Sequence, residues 1–149
     1  MRIAEVLEAK SSPAGAGPPV VTVAPEAGVR ELLAVLADHN IGAVVVSSDG
    51  EHPDGIVSER DVVRRLHHDG TVVDNTVGAI MTSLVESCAP DDDLDAVLAT
   101  MTERRFRHIP VLDDTGVLLG IVSIGDLVKH KIGELQFERD QLDSYVRQS

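Results

Sequence analysis

Aromatic side chains are almost missing from this chain. In 149 residues it has no tryptophan, two phenylalanines (Phe106, Phe137) and one tyrosine (Tyr145). A core must therefore be built from Val, Leu, Ile, Ala and Met, and base stacking on aromatic platforms has almost nothing to work with. Cysteine is as scarce: Cys88 stands alone, which excludes an internal disulfide and the multi-cysteine metal spacings. Between Ser87 and Ala89, in a strand-like run, it reads as a small buried apolar residue. Positive charge is outnumbered, 13 Lys and Arg against 25 Asp and Glu, for a net charge of −12. Partners held through a polyanionic backbone need a broad basic face, so nucleic acid and anionic membranes are disfavoured. No apolar run reaches spanning length and no charged-then-apolar signal opens the chain, so a soluble cytoplasmic protein is expected.

What the chain does have is a repeat. Gly55-Ile56-Val57-Ser58-Glu59-Arg60-Asp61 returns 65 positions later as Gly120-Ile121-Val122-Ser123-Ile124-Gly125-Asp126. At the same shift Val20 falls on Val85, Ala24-Pro25 on Ala89-Pro90, Leu33-Ala34 on Leu98-Ala99, and Val63 on Val128. One unit is used twice, and a duplicated unit stacks on its copy and places sites at the shared surface. An apolar content of 43% suffices for a packed core.

Ile3, Val6 and Leu7 have helical spacing, and residues 1–19 read as a short helix and a Pro/Gly-rich flexible connection, Ser11 to Pro19. Gly15 and Gly17 do not make a dinucleotide loop, because Val20 stands where a third glycine is needed. Residues 20–68 read β-α-β-β-α: a strand at Val20–Val23, a helix with Val29, Leu32, Leu33 and Leu36 at i, i+3, i+4 and i+7, a buried strand at Ala43–Val46, a turn at Ser48-Asp49-Gly50, a returning strand at Gly55–Val57, and a helix from Asp61 with Val62, Val63 and Leu66 inward and Arg64 and Arg65 toward water. Residues 69–83 form a connection holding a short helix over Val77–Thr82. Residues 84–131 repeat the unit, with strands at Leu84–Cys88, His108–Leu112 and Leu118–Val122, a helix through Leu94, Val97, Leu98 and Met101, and another from Asp126. Residues 132–149 prolong that last helix, with Ile132, Leu135, Leu142 and Tyr145/Val146 on one side, to pack on their own domain or on a second chain. Asp91-Asp92-Asp93, after Pro90 at a helix start, reads as a cap and dipole partner in preference to a metal cluster. His67-His68 point about 100° apart on a helix and read as surface residues.

The chemistry lies in Gly-Ile-Val-Ser-x-x-Asp at a strand-to-helix corner. The glycine admits a close backbone approach, and the hydroxyl and the helix amino end can meet an anionic group. The carboxylate one turn on accepts two hydrogen bonds and so suits the cis-diol of a ribose. Singly, Ser-x-x-Asp is an ordinary helix cap. Its presence twice, in equivalent units, favours Ser58 with Asp61 and Ser123 with Asp126 as readers of phosphate and ribose.

On these motifs and this order of elements, residues 1–130 resemble a stand-alone pair of CBS domains, the cystathionine-β-synthase-type repeat. The resemblance implies an α+β fold in which two β-α-β-β-α repeats pack through their sheets about a pseudo-twofold axis. It also implies two clefts for adenosine-containing ligands (AMP, ADP, ATP, NAD(H) or S-adenosylmethionine), no required cofactor, and a homodimeric disc that regulates an unknown protein. Carried over by position, Asp61 and Asp126 resemble ribose-binding acids, and Ser58 and Ser123 hydroxyls near phosphate or ribose. Arg107-His108-Ile109-Pro110 resembles the strand that flanks adenine and faces phosphate, with His108 either a phosphate contact or a core-edge residue. Ile41 and Val44 belong to its counterpart in the first copy, which lacks the basic pair and the proline. Thr22, Met81 and Thr82 match positions near the base. Arg60 precedes the first Asp where Gly125 precedes the second, so the two clefts are expected to be chemically unequal. Against this sensor reading stands a ligand-independent module that assembles through its C-terminal helix. An enzyme is disfavoured, for there is no P-loop, nucleophile–base pair or metal constellation.

Overall fold

The computed structural model describes residues 1–10, 20–83 and 86–148. In chain order the elements are α1 (Ile3–Lys10), β1 (Thr22–Val23), α2 (Val29–Asp38), β2 (Ala43–Val46), β3 (Gly55–Ser58), α3 (Glu59–His68), a 3-10 turn (Gly70–Asp74), α4 (Val77–Ile80), β4 (Thr82–Ser83), α5 (Leu94–Arg104), β5 (His108–Leu112), β6 (Leu118–Ser123) and α6 (Ile124–Gln148). The expected flexible connection, Ser11 to Pro19, lies outside the described residues, as do Leu84 and Val85 of the strand expected at Leu84–Cys88.

Both repeats are built on the same register. β2 pairs antiparallel with β3, Ala43 opposite Ser58, and β5 pairs antiparallel with β6, His108 opposite Ser123. Val23 lies parallel to Val46 in the first sheet; Cys88 bridges Val111 in the same sense in the second. The alternation that a strand imposes then divides β2 between two surroundings. Val44 and Val46 enter the first core with Leu32 and Val57, whereas Ala43 and Val45 are buried but belong to neither core. They face the other repeat, as do their equivalents His108 and Pro110, so the sheets meet face to face. Cys88 is buried against the second core, as expected.

Each lead-in helix docks on the opposite repeat. The N–H groups of Ile3 and Ala4 donate to the Asp92 and Pro90 carbonyls at 3.0 and 2.9 Å, and those of Val77 and Gly78 to the Ala27 and Pro25 carbonyls at 2.8 Å each. The four acceptors are related by the sequence repeat. Ile3 and Val6 accordingly complete the second core, and Val77 and Ile80 the first. Two close approaches seal this exchange: a Cβ on Gly55 would lie 2.8 Å from Met81 Sδ, and one on Gly120 2.9 Å from Leu7 Cδ2.

Three local expectations are corrected. The helix expected over Val77–Thr82 ends at Ile80, because Thr82 and Ser83 add an antiparallel strand to β3. On α3 only Val62 is buried; Val63 is 65% and Leu66 39% exposed, since Val63 is turned 100° from Val62 and the helix presents a narrow apolar face. Leu33, 37% exposed, sits likewise at the edge of the α2 face. Asp93 does cap α5, its carboxylate accepting from the Ala96 N–H.

Candidate functional site: two clefts between the repeats

The strand-to-helix corners are formed by reciprocal capping. Ser58 Oγ accepts from the Asp61 N–H at 3.2 Å, while Asp61 Oδ2 accepts from the Ser58 N–H at 2.9 Å and from the Ser58 hydroxyl at 3.1 Å. The second corner repeats this: Ser123 Oγ accepts from the Asp126 N–H at 3.1 Å, and Asp126 Oδ2 from the Ser123 N–H at 2.9 Å. Capping and ligand reading are therefore not alternatives for these carboxylates. The cap occupies Oδ2 of each and fixes its rotamer; Oδ1 has no partner among the described residues.

The two corners open into clefts that cross the repeats. The first, about 760 Å³, combines the Ser58–Asp61 corner and Thr82 with Arg107, just ahead of β5, and with His108 and Pro110 of that strand. Arg60 and Arg107, which the sequence distributes one to each copy, therefore reach the same space. Arg64 and Arg105 join them. Four guanidinium groups in a chain of net charge −12 form a local anion-attracting wall. The acids there are Asp61 and Glu86, and Glu86 is tied to Arg104.

The second cleft, about 580 Å³, holds Ser123 and Asp126 with Ile41, Asn40, the β6 backbone region and Lys10. The Lys10 ammonium donates to Asp126 Oδ2 at 2.8 Å and to the Ile121 carbonyl at 2.9 Å. Partial burial pushes the Asp126 carboxyl up, but the Lys10 hydrogen bond and charge and the Ser123 N–H outweigh it and hold it below its ordinary value. His108 lines both clefts, and burial pushes its imidazole below the ordinary value, the Asp126 and Glu59 charges opposing and those of Lys10 and Arg107 assisting. It is both a core-edge residue and a cleft residue.

Four expected site residues line neither cleft. The Val44 and Ile109 side chains are buried in the two cores, leaving only their backbone for a ligand. Thr22 is half-buried beside Val45, while its neighbours Val20 and Val21 reach the second cleft. Met81 packs against the first core. Conversely, the sequence reading missed three cleft cations. Arg64 was expected to face water, Arg105 was assigned to neither cleft, and Lys10 reaches its cleft only through the exchange of lead-in helices. Arg105 did carry a signal: it sits at φ +62°, as Asn40, its equivalent, sits at φ +51°. A helix-terminal position of that kind suits Gly or Asn, so an arginine there is out of place as a cap.

Among the described residues no group of three or more His, Cys, Asp or Glu could hold a metal ion, and no helix is long and apolar enough to cross a membrane. Comparison with known proteins gives one family. The CBS domain matches residues 16–68 and 77–133. The CBS domain-containing protein CBSX3, mitochondrial, of Arabidopsis thaliana is 36% identical over 124 residues, 80% of this chain and 60% of the relative, so the chain spans less than two thirds of that protein. Among solved structures, the CBS-domain containing protein ATU1752 from Agrobacterium tumefaciens superposes with a TM-score of 0.77 at 36% identity, covering 88% of this chain and 99% of its own. The CBS domain protein PAE2072 from Pyrobaculum aerophilum, complexed with AMP, gives 0.70 at 26% identity, covering 85% and 89%. Two matched repeats, the shared α+β fold and the duplicated Ser-x-x-Asp corners place this chain in the CBS-domain family, as a tandem pair.

Proposed function

We propose that the chain is a cytoplasmic regulatory module that binds an adenine nucleotide of the AMP, ADP or ATP class in its first cleft, with Asp61 Oδ1 on the ribose hydroxyls and the arginines on the phosphates. The observation that carries this reading is the convergence of Arg60, Arg64, Arg105 and Arg107 on the corner whose Asp61 carboxylate is held by capping alone. The cleft volume, about 760 Å³, lies in the usual range for small-molecule sites. The AMP bound by the Pyrobaculum relative supports the ligand class. In the second cleft Lys10 already engages the equivalent carboxylate, which favours the first as the nucleotide site. The role is sensing, with the occupied state passed to a regulated protein.

The test is calorimetry and thermal shift with AMP, ADP, ATP, NAD(H), S-adenosylmethionine and adenosine. At about a hundred times the dissociation constant a site-specific ligand adds about 2.7 kcal/mol of stability. A phosphorylated adenosine that binds and raises the midpoint supports the proposal. No shift with any of them overturns it and leaves the assembly-module reading in its place.

A further inference from the structure

We propose that the turn between β2 and β3 and the turn between β5 and β6 form a proton-dependent clamp between the repeats, with His52 as the group that titrates. The inference does not depend on which ligand either cleft takes. The two turns belong to different repeats and touch at two points. The Leu118 N–H, at the start of β6, donates to the Glu51 carbonyl at 2.7 Å. One residue on, the His52 ring lies against Gly116, where a Cβ would stand 3.8 Å from His52 Cδ2.

The first turn is built around Asp49. Its Oδ1 accepts from the Glu51 and His52 N–H groups at 2.8 and 2.7 Å, and its Oδ2 meets His52 Nδ1 at 2.8 Å. The imidazole is thereby fixed at the contact while staying half-exposed and open to bulk protons. The charges that face it are Asp49 and Glu51 of its own turn and Asp113 of the opposite one. Asp54, the other acid of the first turn, is engaged by the Ser48 N–H at 2.8 Å and the Ser48 hydroxyl at 2.6 Å. The His52 and Glu51 N–H groups hold the Asp49 carboxyl well below its ordinary value, and the Thr115 hydroxyl and Val117 N–H hold Asp113 low. Both are therefore ionised wherever His52 titrates. The hydrogen bond and charge of Asp49, with the charges of Glu51 and Asp113, push the imidazole above 6.5.

The sign with pH follows. Below pH 6.5 the imidazolium joins the two turns by charge as well as by contact. As pH rises through the raised value the ring becomes neutral, keeps its hydrogen bond to Asp49, and no longer offsets the repulsion of Asp49 and Glu51 by Asp113. The contact that loosens anchors a cleft wall: Leu118 is buried and, with Leu119, Gly120 and Ile121, lines the second cleft. The first cleft is lined by none of these four, so alkaline pH should relax the second cleft selectively.

NMR reads the proposal in the parent chain. The His52 ring titration gives the midpoint, expected above 6.5. The exchange protection of the Leu118 N–H, corrected for its intrinsic pH dependence, is then compared on the acid and alkaline sides of that midpoint. Protection should fall about two- to fivefold on the alkaline side, the range of an exposed ion pair. That of the Leu112 N–H, which donates to the Cys88 carbonyl within the second repeat, should stay constant. The fall should shrink in about 1 M salt. His52→Lys, charged on both sides of the midpoint, should keep the higher protection throughout, and His52→Gln the lower. Equal protection of the parent on both sides, a midpoint at or below 6.5, a fall that persists in His52→Lys, or undiminished protection in His52→Gln would each overturn the proposal.

Discussion

Lys10 Nζ and Asp126 Oδ2 lie 2.8 Å apart, and this ion pair distinguishes two clefts that the repeat would otherwise make alike. It follows from the exchange of lead-in helices. Leu7 touches Gly120 as Met81 touches Gly55, and three residues beyond Leu7 the Lys10 ammonium reaches Asp126. Among the described residues no basic side chain pairs with Asp61 in this way.

Replacing Lys10 by Met should remove the ammonium that competes with a ribose for the Asp126 carboxylate. The second cleft of Lys10→Met should bind adenosine roughly tenfold more tightly than in the parent chain, the worth of about one charge-assisted hydrogen bond. The pair is about one-third exposed, 37% and 28%, so its loss should cost only about 0.5 kcal/mol of stability. The sign with pH follows from Asp126. Its carboxyl is held below the ordinary 3.8 in the folded state, so the contribution is complete above that value and disappears as pH falls through the depressed one. The stability difference between parent and Lys10→Met, from urea melts, should be constant from pH 7 to about 4 and shrink below.

Arg105 should trade stability for affinity. It holds φ +62° at the end of α5, a conformation that costs a side chain with a full Cβ about 1 kcal/mol. Arg105→Asn, which copies Asn40, should raise the melting temperature by about 3 °C while weakening AMP binding several-fold. A variant that gains neither stability nor a binding defect would show that the arginine is a mere cap.

The two close-approach glycines should differ in tolerance. A Cβ at Gly55 meets the Thr82 carbonyl oxygen at 2.5 Å as well as Met81 Sδ at 2.8 Å; at Gly120 it meets only the end of the Leu7 side chain, at 2.9 Å. Backbone cannot step aside as a Leu methyl can. Gly55→Ala should therefore cost about 2–3 kcal/mol and Gly120→Ala about 1 kcal/mol or less, measured by chemical denaturation.

Much of the fold was legible because duplication lets each half check the other. The strands at His108–Leu112 and Leu118–Val122, the burial of Val29, Leu32 and Leu36, and the corners at Ser58 and Ser123 all follow from periodicity and from the 65-residue shift. The site was legible in its corners and less so in its walls. Which strand faces which corner is a property of the packed pair, so Arg60 and Arg107 looked like features of separate clefts. Lys10 was invisible for the same reason: nothing local to Ile3–Lys10 says that this helix crosses to the other repeat. Val44 and Ile109 were matched by position, and the two-residue alternation of a strand turns them into the cores.

His108 should couple nucleotide binding to protons. Burial pushes its imidazole below 6.5, with Asp126 and Glu59 opposing and Lys10 and Arg107 assisting. In the free protein, stability conferred by the neutral ring is therefore lost as pH falls from 6.5 toward the depressed value. A phosphate in the first cleft raises the imidazole back. Below about pH 6.5, calorimetry in buffers of different ionisation heat should register proton uptake on AMP binding, greater in the parent chain than in His108→Gln, and none with adenosine.

The first cleft is the proposed nucleotide site, and one titration addresses it directly: AMP into the parent chain, Asp61→Ala and Asp126→Ala. The tight site should weaken about ten- to hundredfold with Asp61→Ala, the loss of one charge-assisted contact, and less than threefold with Asp126→Ala. Equal losses in both variants, or a loss confined to Asp126→Ala, would contradict it.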